Sequence, residues 1–141
     1  MVDFIHMIPI AASPKAVYAA ISTQRGMRGW WTRDTGMETK VGGRAEFGFD
    51  RRDAVFMMKI LALKPSKTVR MTCIAGPPEW VGTRLEWTIE RTERGSTLTF
   101  RHRGWRRVTP FAASCNTMWG RLMFRIRDYA ETGQFKPQWK R

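Results

Sequence analysis

The chain has 141 residues, 43% hydrophobic, 12% aromatic and 26% charged, which suits one globular domain with one core and excludes a disordered tail or a membrane bundle. Twenty-five basic residues against twelve acidic ones leave a net charge of +13, which raises an anionic surface or nucleic acid as a partner. Arg, Lys, Asp or Glu interrupts every apolar stretch before the roughly 18 residues a bilayer span requires, so no transmembrane anchor is expected.

In chain order, the N-terminus lacks a basic leader before an apolar run and reads as mature, uncleaved protein. Residues 2–10 form a first strand, with Phe4, Met7 and Ile8 among polar positions. Ser13-Pro14 is a helix start, a capping hydroxyl followed by proline at the first helical position, and Val17, Ala20 and Ile21 continue at helical spacing. Residues 23–30 give a second short helical turn through Met27, Trp30 and Trp31, broken by Thr32 and Asp34. From Gly42 the period changes to two. Breakers at Gly42-Gly43, Lys64-Pro65-Ser66, Gly76-Pro77-Pro78 and Arg94-Gly95 divide strands over about 44–50, 54–63, 67–74, 83–93 and 96–103. Leu85, Trp87 and Ile89 face a dry side that Leu98, Phe100 and His102 continue across a hairpin. After Pro110, residues 111–132 carry Cys115, Met118, Trp119, Leu122, Ile126, Tyr129 and Ala130 as one helical stripe that ends at Gly133. An antiparallel sheet with one dry face and one long helix implies that the helix lies across that face.

Several segments, in this order, resemble the activator of heat-shock protein 90 ATPase homologue family, a branch of the START and birch-pollen-allergen superfamily. Ile10 to Ala20 resembles its opening strand and ASP-x-x-V-(Y/F) helix start; Trp30-Trp31 its paired tryptophan; Val41-Gly42-Gly43-Arg44 its glycine entry to the next strand. Gly95 to Trp105 is similar to its last strand, and Trp119, Leu122, Tyr129 and Gly133 to its C-terminal helix. Gly76-Pro77-Pro78-Glu79-Trp80 and the many helix arginines depart from the family pattern, changes that bear on pocket mouth or partner. The resemblance implies an α+β helix-grip domain over residues 1–141, with a core at about 3–135 and a basic tail at 136–141. It has a curved antiparallel sheet of six or seven strands, two short helices after the first strand, and one long C-terminal helix across the sheet. It also implies an apolar cavity between sheet and helix, without a cofactor, and brings in a chaperone or other protein as a partner.

Three sets of residues carry the candidate chemistry. Trp30, Trp31, Phe47, Phe49, Phe56, Met58, Trp87, Phe100, Met118, Trp119 and Leu122 supply an adaptable apolar wall for a small apolar or amphipathic ligand, or simply fill the core. Adjacent side chains cannot share a face, so Trp30 and Trp31 are expected to split, one ring inward and one at the entrance. His102, on the dry side, is either a polar contact in that cavity, orienting a ligand group as a tryptophan N–H could, or a satisfied core histidine. Arg101, Arg103, Arg106 and Arg107 near the last strand, with Arg121 and Arg125 on the long helix, make either a phosphate-binding face or a solvated surface.

His6 is far from His102 in sequence and gives no HExxH-type metal site. A nucleophile with a base, or paired carboxylates on the dry side, would mark an enzyme. Neither is visible, which favours a non-catalytic reading and leaves Glu38, Glu79 and His102 as the groups an enzyme of this fold would use. The cysteine usage predicts buried free thiols in a reducing cytoplasm. Oligomeric state stays open, with a dimer one option.

Overall fold

The computed structural model describes residues 1–141, and three hydroxyl side chains begin its helices. Ser13 Oγ accepts from the Ala16 N–H at 3.1 Å to start α1 (Pro14–Ser22). Thr23 Oγ1 does the same for the Gly26 N–H at 2.9 Å, opening α2 (Gln24–Trp30) straight after α1 ends. Thr109 Oγ1 accepts from the Ala112 N–H at 3.1 Å at the head of α3 (Pro110–Thr132), and Gly133 terminates it in the left-handed conformation that glycine adopts at least cost.

The strands are β1 (Val2–Ile10), β2 (Thr35–Met37), β3 (Arg44–Phe49), β4 (Ala54–Lys64), β5 (Thr68–Ala75), β6 (Arg84–Thr92) and β7 (Gly95–Trp105). They make one antiparallel sheet in the order β1-β7-β6-β5-β4-β3-β2, so the first strand closes beside the last. This is the expected α+β helix-grip arrangement. Pro9 is tolerated inside β1 because β1 is an edge strand with a side that needs no ladder N–H. β2 was not expected: three residues, one of them glycine, carry no readable alternation, and pairing with β3 in the register Thr35–Phe47, Gly36–Glu46 and Met37–Ala45 creates it.

The core sits between the inward face of the sheet and α3. Leu85, Trp87, Ile89, Leu98, Phe100 and His102 are all buried, with Trp87 opposite Phe100 in the β6–β7 register and their rings 5.1 Å apart. From α3, Trp119, Leu122, Met123 and Ile126 meet them. Cys73 is a buried free thiol and Cys115 a partly buried one. No helix is long and apolar enough to cross a membrane.

Residues 136–139 of the basic tail dock on the body of the domain. Main-chain hydrogen bonds from Lys136 to Gly29, from Gln138 to Trp30 and from Trp139 to Trp31 bind them to the end of α2, and Arg33 returns one to Trp139. The basic composition concealed this, because the docking uses backbone atoms and the single apolar ring of Trp139.

Candidate functional site

The two adjacent tryptophans stay together, one behind the other. Their rings stack at 5.5 Å with an interplanar angle of 5°, and both are buried. Trp31 is where the chain leaves α2, at φ −99° and ψ −83°, so neither helical nor strand spacing governs it. Trp30 lies behind, its Nε1–H donated to the Ala20 carbonyl at 2.8 Å, where it satisfies one of the C-terminal acceptors of α1. Trp31 lies in front, against a cavity.

That cavity, of about 250 Å³, lies between the first half of α3 and the β3–β4 end of the sheet, and eleven of its thirteen lining residues are hydrophobic. The helix contributes Phe111, Ser114, Cys115, Met118, Trp119 and Leu122; the β3–β4 hairpin contributes Phe49, Asp50, Ala54 and Phe56. Trp80, from the segment between β5 and β6, and Trp139 complete the wall with Trp31.

Of the residues expected at a cavity, Trp31, Phe49, Phe56, Met118, Trp119 and Leu122 line it. Trp30, Phe47, Met58, Trp87, Phe100 and His102 are buried in the core behind it. Trp80 and Trp139 escaped the sequence reading as wall residues, since both lie outside regular strands and helices where periodicity says nothing. The one available signal was the unusual Gly76-Pro77-Pro78-Glu79-Trp80 segment.

His102 has no capacity to spare for a ligand. The Trp119 Nε1–H donates to Nδ1 at 3.1 Å, and Nε2 lies 2.8 Å from Thr83 Oγ1, which itself donates to the Trp80 carbonyl at 2.6 Å. With the hydroxyl proton committed to that carbonyl and Nδ1 accepting, the imidazole is neutral with its proton on Nε2. Burial pushes its pKa down to about 3. The chain Trp119–His102–Thr83–Trp80 ties the long helix and the Trp80 segment to β7, so His102 positions two cavity walls from behind. The expectation that His102 or a tryptophan N–H orients a ligand fails for Trp119, whose donor His102 takes, and for Trp80, whose N–H faces the Cys115 sulfur at 3.5 Å.

The other candidate acids do not converge. Glu79 accepts from the Thr109 hydroxyl, and Glu38 from the Arg44 N–H at 3.1 Å. His6 Nε2 pairs with Asn116 Oδ1 at 2.8 Å between β1 and α3. No three His, Cys, Asp or Glu side chains are grouped to hold a metal. Burial raises the pKa of the Cys115 thiol, which the Trp80 N–H only partly offsets, and that disfavours the nucleophilic thiolate.

The arginines close in sequence are separated in space. Arg101 and Arg103 point away from the core on the outer sheet face, where Glu86 and Asp3 lie 3.5–4.0 Å from them. Arg106 and Arg107 flank a groove beside Glu79 at the end of β7. Arg121 and Arg125 belong to the helix on the opposite side of the sheet, and Arg125 donates to the Lys136 carbonyl at 2.6 Å. No single cationic face joins the six.

The family model described as Activator of Hsp90 ATPase homolog 1-like protein matches residues 11–131. Among solved structures, the chain is similar to the Aha1 dimer from Colwellia psychrerythraea, with 34% identity, a TM-score of 0.84, and 94% of this chain and 98% of that one covered. A Mesorhizobium loti protein at 18% identity (TM-score 0.80, 90% and 95% covered) and a Staphylococcus saprophyticus protein at 15% (TM-score 0.78, 96% of each covered) share the fold. No curated protein matches the sequence.

Proposed function

The chain belongs to the Activator of Hsp90 ATPase homolog 1-like family, and we propose that it acts as a non-catalytic domain that holds a small apolar or amphipathic molecule in the cavity between α3 and the β3–β4 hairpin. The observation that carries this reading is the cavity itself: about 250 Å³ of space walled by aromatic and Met side chains at the edge of the buried core. Burial of ligand carbon against that wall supplies the affinity. The volume falls just under the roughly 300 Å³ at which drug-sized sites begin, so the occupant has one or two rings or an equivalent chain. A binding role also fits the placement of His102, Glu79 and Glu38, each engaged elsewhere than at the cavity.

The test is a titration with N-phenyl-1-naphthylamine, a neutral apolar fluorophore, against the native chain and Ser114→Trp. Ser114 is an exposed helix residue on the cavity wall, so the larger ring fills the space without entering the core. Saturable binding that Ser114→Trp abolishes is expected; no binding to the native chain, or equal binding to both, refutes the reading.

A second reading concerns assembly. The Colwellia relative is a dimer, and here Ile5 and Met7 are 59% and 70% exposed on the edge strand β1. We propose that this chain pairs with a second copy along β1. Sedimentation of the native chain as a dimer and of Ile5→Lys/Met7→Lys as a monomer is expected, and a native monomer at micromolar concentration rejects it.

A further inference from the structure

Five of the cavity's aromatic rings form a closed circuit. Trp31 lies 5.9 Å from Phe49, Phe49 5.0 Å from Phe56, Phe56 4.7 Å from Trp80, Trp80 6.3 Å from Trp119, and Trp119 5.2 Å from Trp31. The indole N–H donors of Trp80 and Trp119 are both taken by protein acceptors, the Cys115 sulfur and His102. Trp31, Trp139 and Ser114 supply the remaining donors of a wall rich in π-electron density.

The charge in that wall is of one sign. In a chain with 25 Lys and Arg against 12 Asp and Glu, no cation lines the cavity, and its single charged residue is Asp50. Its carboxylate makes no ion pair: Arg52, two positions on, is held by Asp34 at 2.9 Å and Glu46 at 3.1 Å. Exposed Asp50 borders the cavity beside its neighbour Phe49 where the chain turns left-handed, with φ 51°, 56° and 68° at Asp50, Arg51 and Arg52. In an extended strand the two side chains would face opposite ways. Three successive non-glycine residues in that region cost conformational energy, and strain of this kind concentrates at binding sites.

An aromatic enclosure with an acceptor-only charge at one point recognises positive charge carried on carbon: ring faces attract a weakly hydrated ammonium, and the carboxylate fixes its position. An anion finds no counter-charge there. The protein's overall positive field opposes a cation only weakly, since about 8 Å of physiological salt solution screens it.

We propose that the cavity selects an organic cation, a small alkylated or arylalkyl ammonium whose charge lies against Asp50 and the aromatic circuit. This rests on the ligand-binding reading above and narrows it to one chemical class. The test compares benzyltrimethylammonium with its uncharged isostere 2,2-dimethylpropylbenzene by tryptophan fluorescence titration, on the native chain and on Asp50→Asn. Asparagine tolerates the same left-handed backbone, so the hairpin keeps its shape. The native chain is expected to bind the cation at least about tenfold more tightly than the isostere. In Asp50→Asn the preference should fall to about threefold or less while isostere affinity holds. Equal or tighter isostere binding by the native chain, or an undiminished preference in Asp50→Asn, overturns the cation assignment alone. Binding of neither compound overturns it together with the ligand-binding reading.

Discussion

Acid should weaken this fold through one buried imidazole. His102 is neutral in the folded chain, with a pKa of about 3 against 6.5 for an unperturbed histidine. Because the folded value is the lower one, the unfolded chain takes up the proton first as pH falls. Stability is therefore insensitive to this group above about pH 6.5 and declines between there and about pH 3, where the folded histidine also titrates. Between pH 7.5 and pH 5.0 the loss amounts to about 2 kcal/mol, from roughly 1.4 kcal/mol per unit over the acid part of that range. The physical origin is twofold: a charged imidazole has no water here, and protonation of Nδ1 sets a donor against the Trp119 N–H that now donates to it. Urea unfolding at both pH values should be run on the native chain and on His102→Gln, whose amide can still accept from Trp119 and donate to Thr83. Every other group is common to both proteins, so its contribution cancels in the comparison. The native chain should lose about 2 kcal/mol more than the variant on acidification. Equal losses would show that His102 is not held neutral, and the network tying Trp119 to Trp80 would have to be redrawn.

Three further outcomes are expected. Gly26→Ala drives a Cβ into the Ala19 and Ala20 carbonyl oxygens, backbone atoms that cannot rotate aside, and should destabilise the fold by about 2 kcal/mol or more in the same urea assay. Trp139→Ala removes the ring that packs 4.8 Å from Phe49 and opens one side of the cavity; a stability loss of about 1–3 kcal/mol with weakened N-phenyl-1-naphthylamine binding is expected, whereas a neutral effect would show that residues 136–141 do not dock in solution. Cys115 should react with a disulfide reagent at pH 7 several-fold more slowly than a free thiol, and more slowly still with the cavity filled; timed labelling followed by intact mass checks this.

Most elements were legible in the sequence because each carried a local signal. The hydroxyl cap at Ser13, Pro110 ahead of the long helix and the glycine stop at Gly133 marked helix ends. Alternation in Leu85-Trp87-Ile89 and Leu98-Phe100-His102 marked the buried face, and breakers marked the turns. The short β2 carried no such signal, and its pairing with β3 is a long-range event.

The site divided differently. Hydrophobicity named the right kinds of residue but could not rank them by depth, so Phe47, Met58, Trp87 and Phe100 looked as eligible for a cavity wall as Phe49 and Phe56. Depth depends on how far α3 stands off each strand, which no residue encodes by itself. The pairing of Trp30 with Trp31 also defied local rules, since a residue leaving a helix obeys neither helical nor strand spacing.

The sequence by itself determined the order of strands and helices and the dry side on which His102 lies, consequences of side-chain period and residue type, while the resemblance of its motifs carried the helix-grip fold and the family. Only the tertiary structure decided where space is left, which charge faces it and which arginines stand together. Those are differences between packed surfaces brought from Trp31, Asp50, Trp80, Trp119 and Trp139, residues whose proximity exists only after the chain has folded.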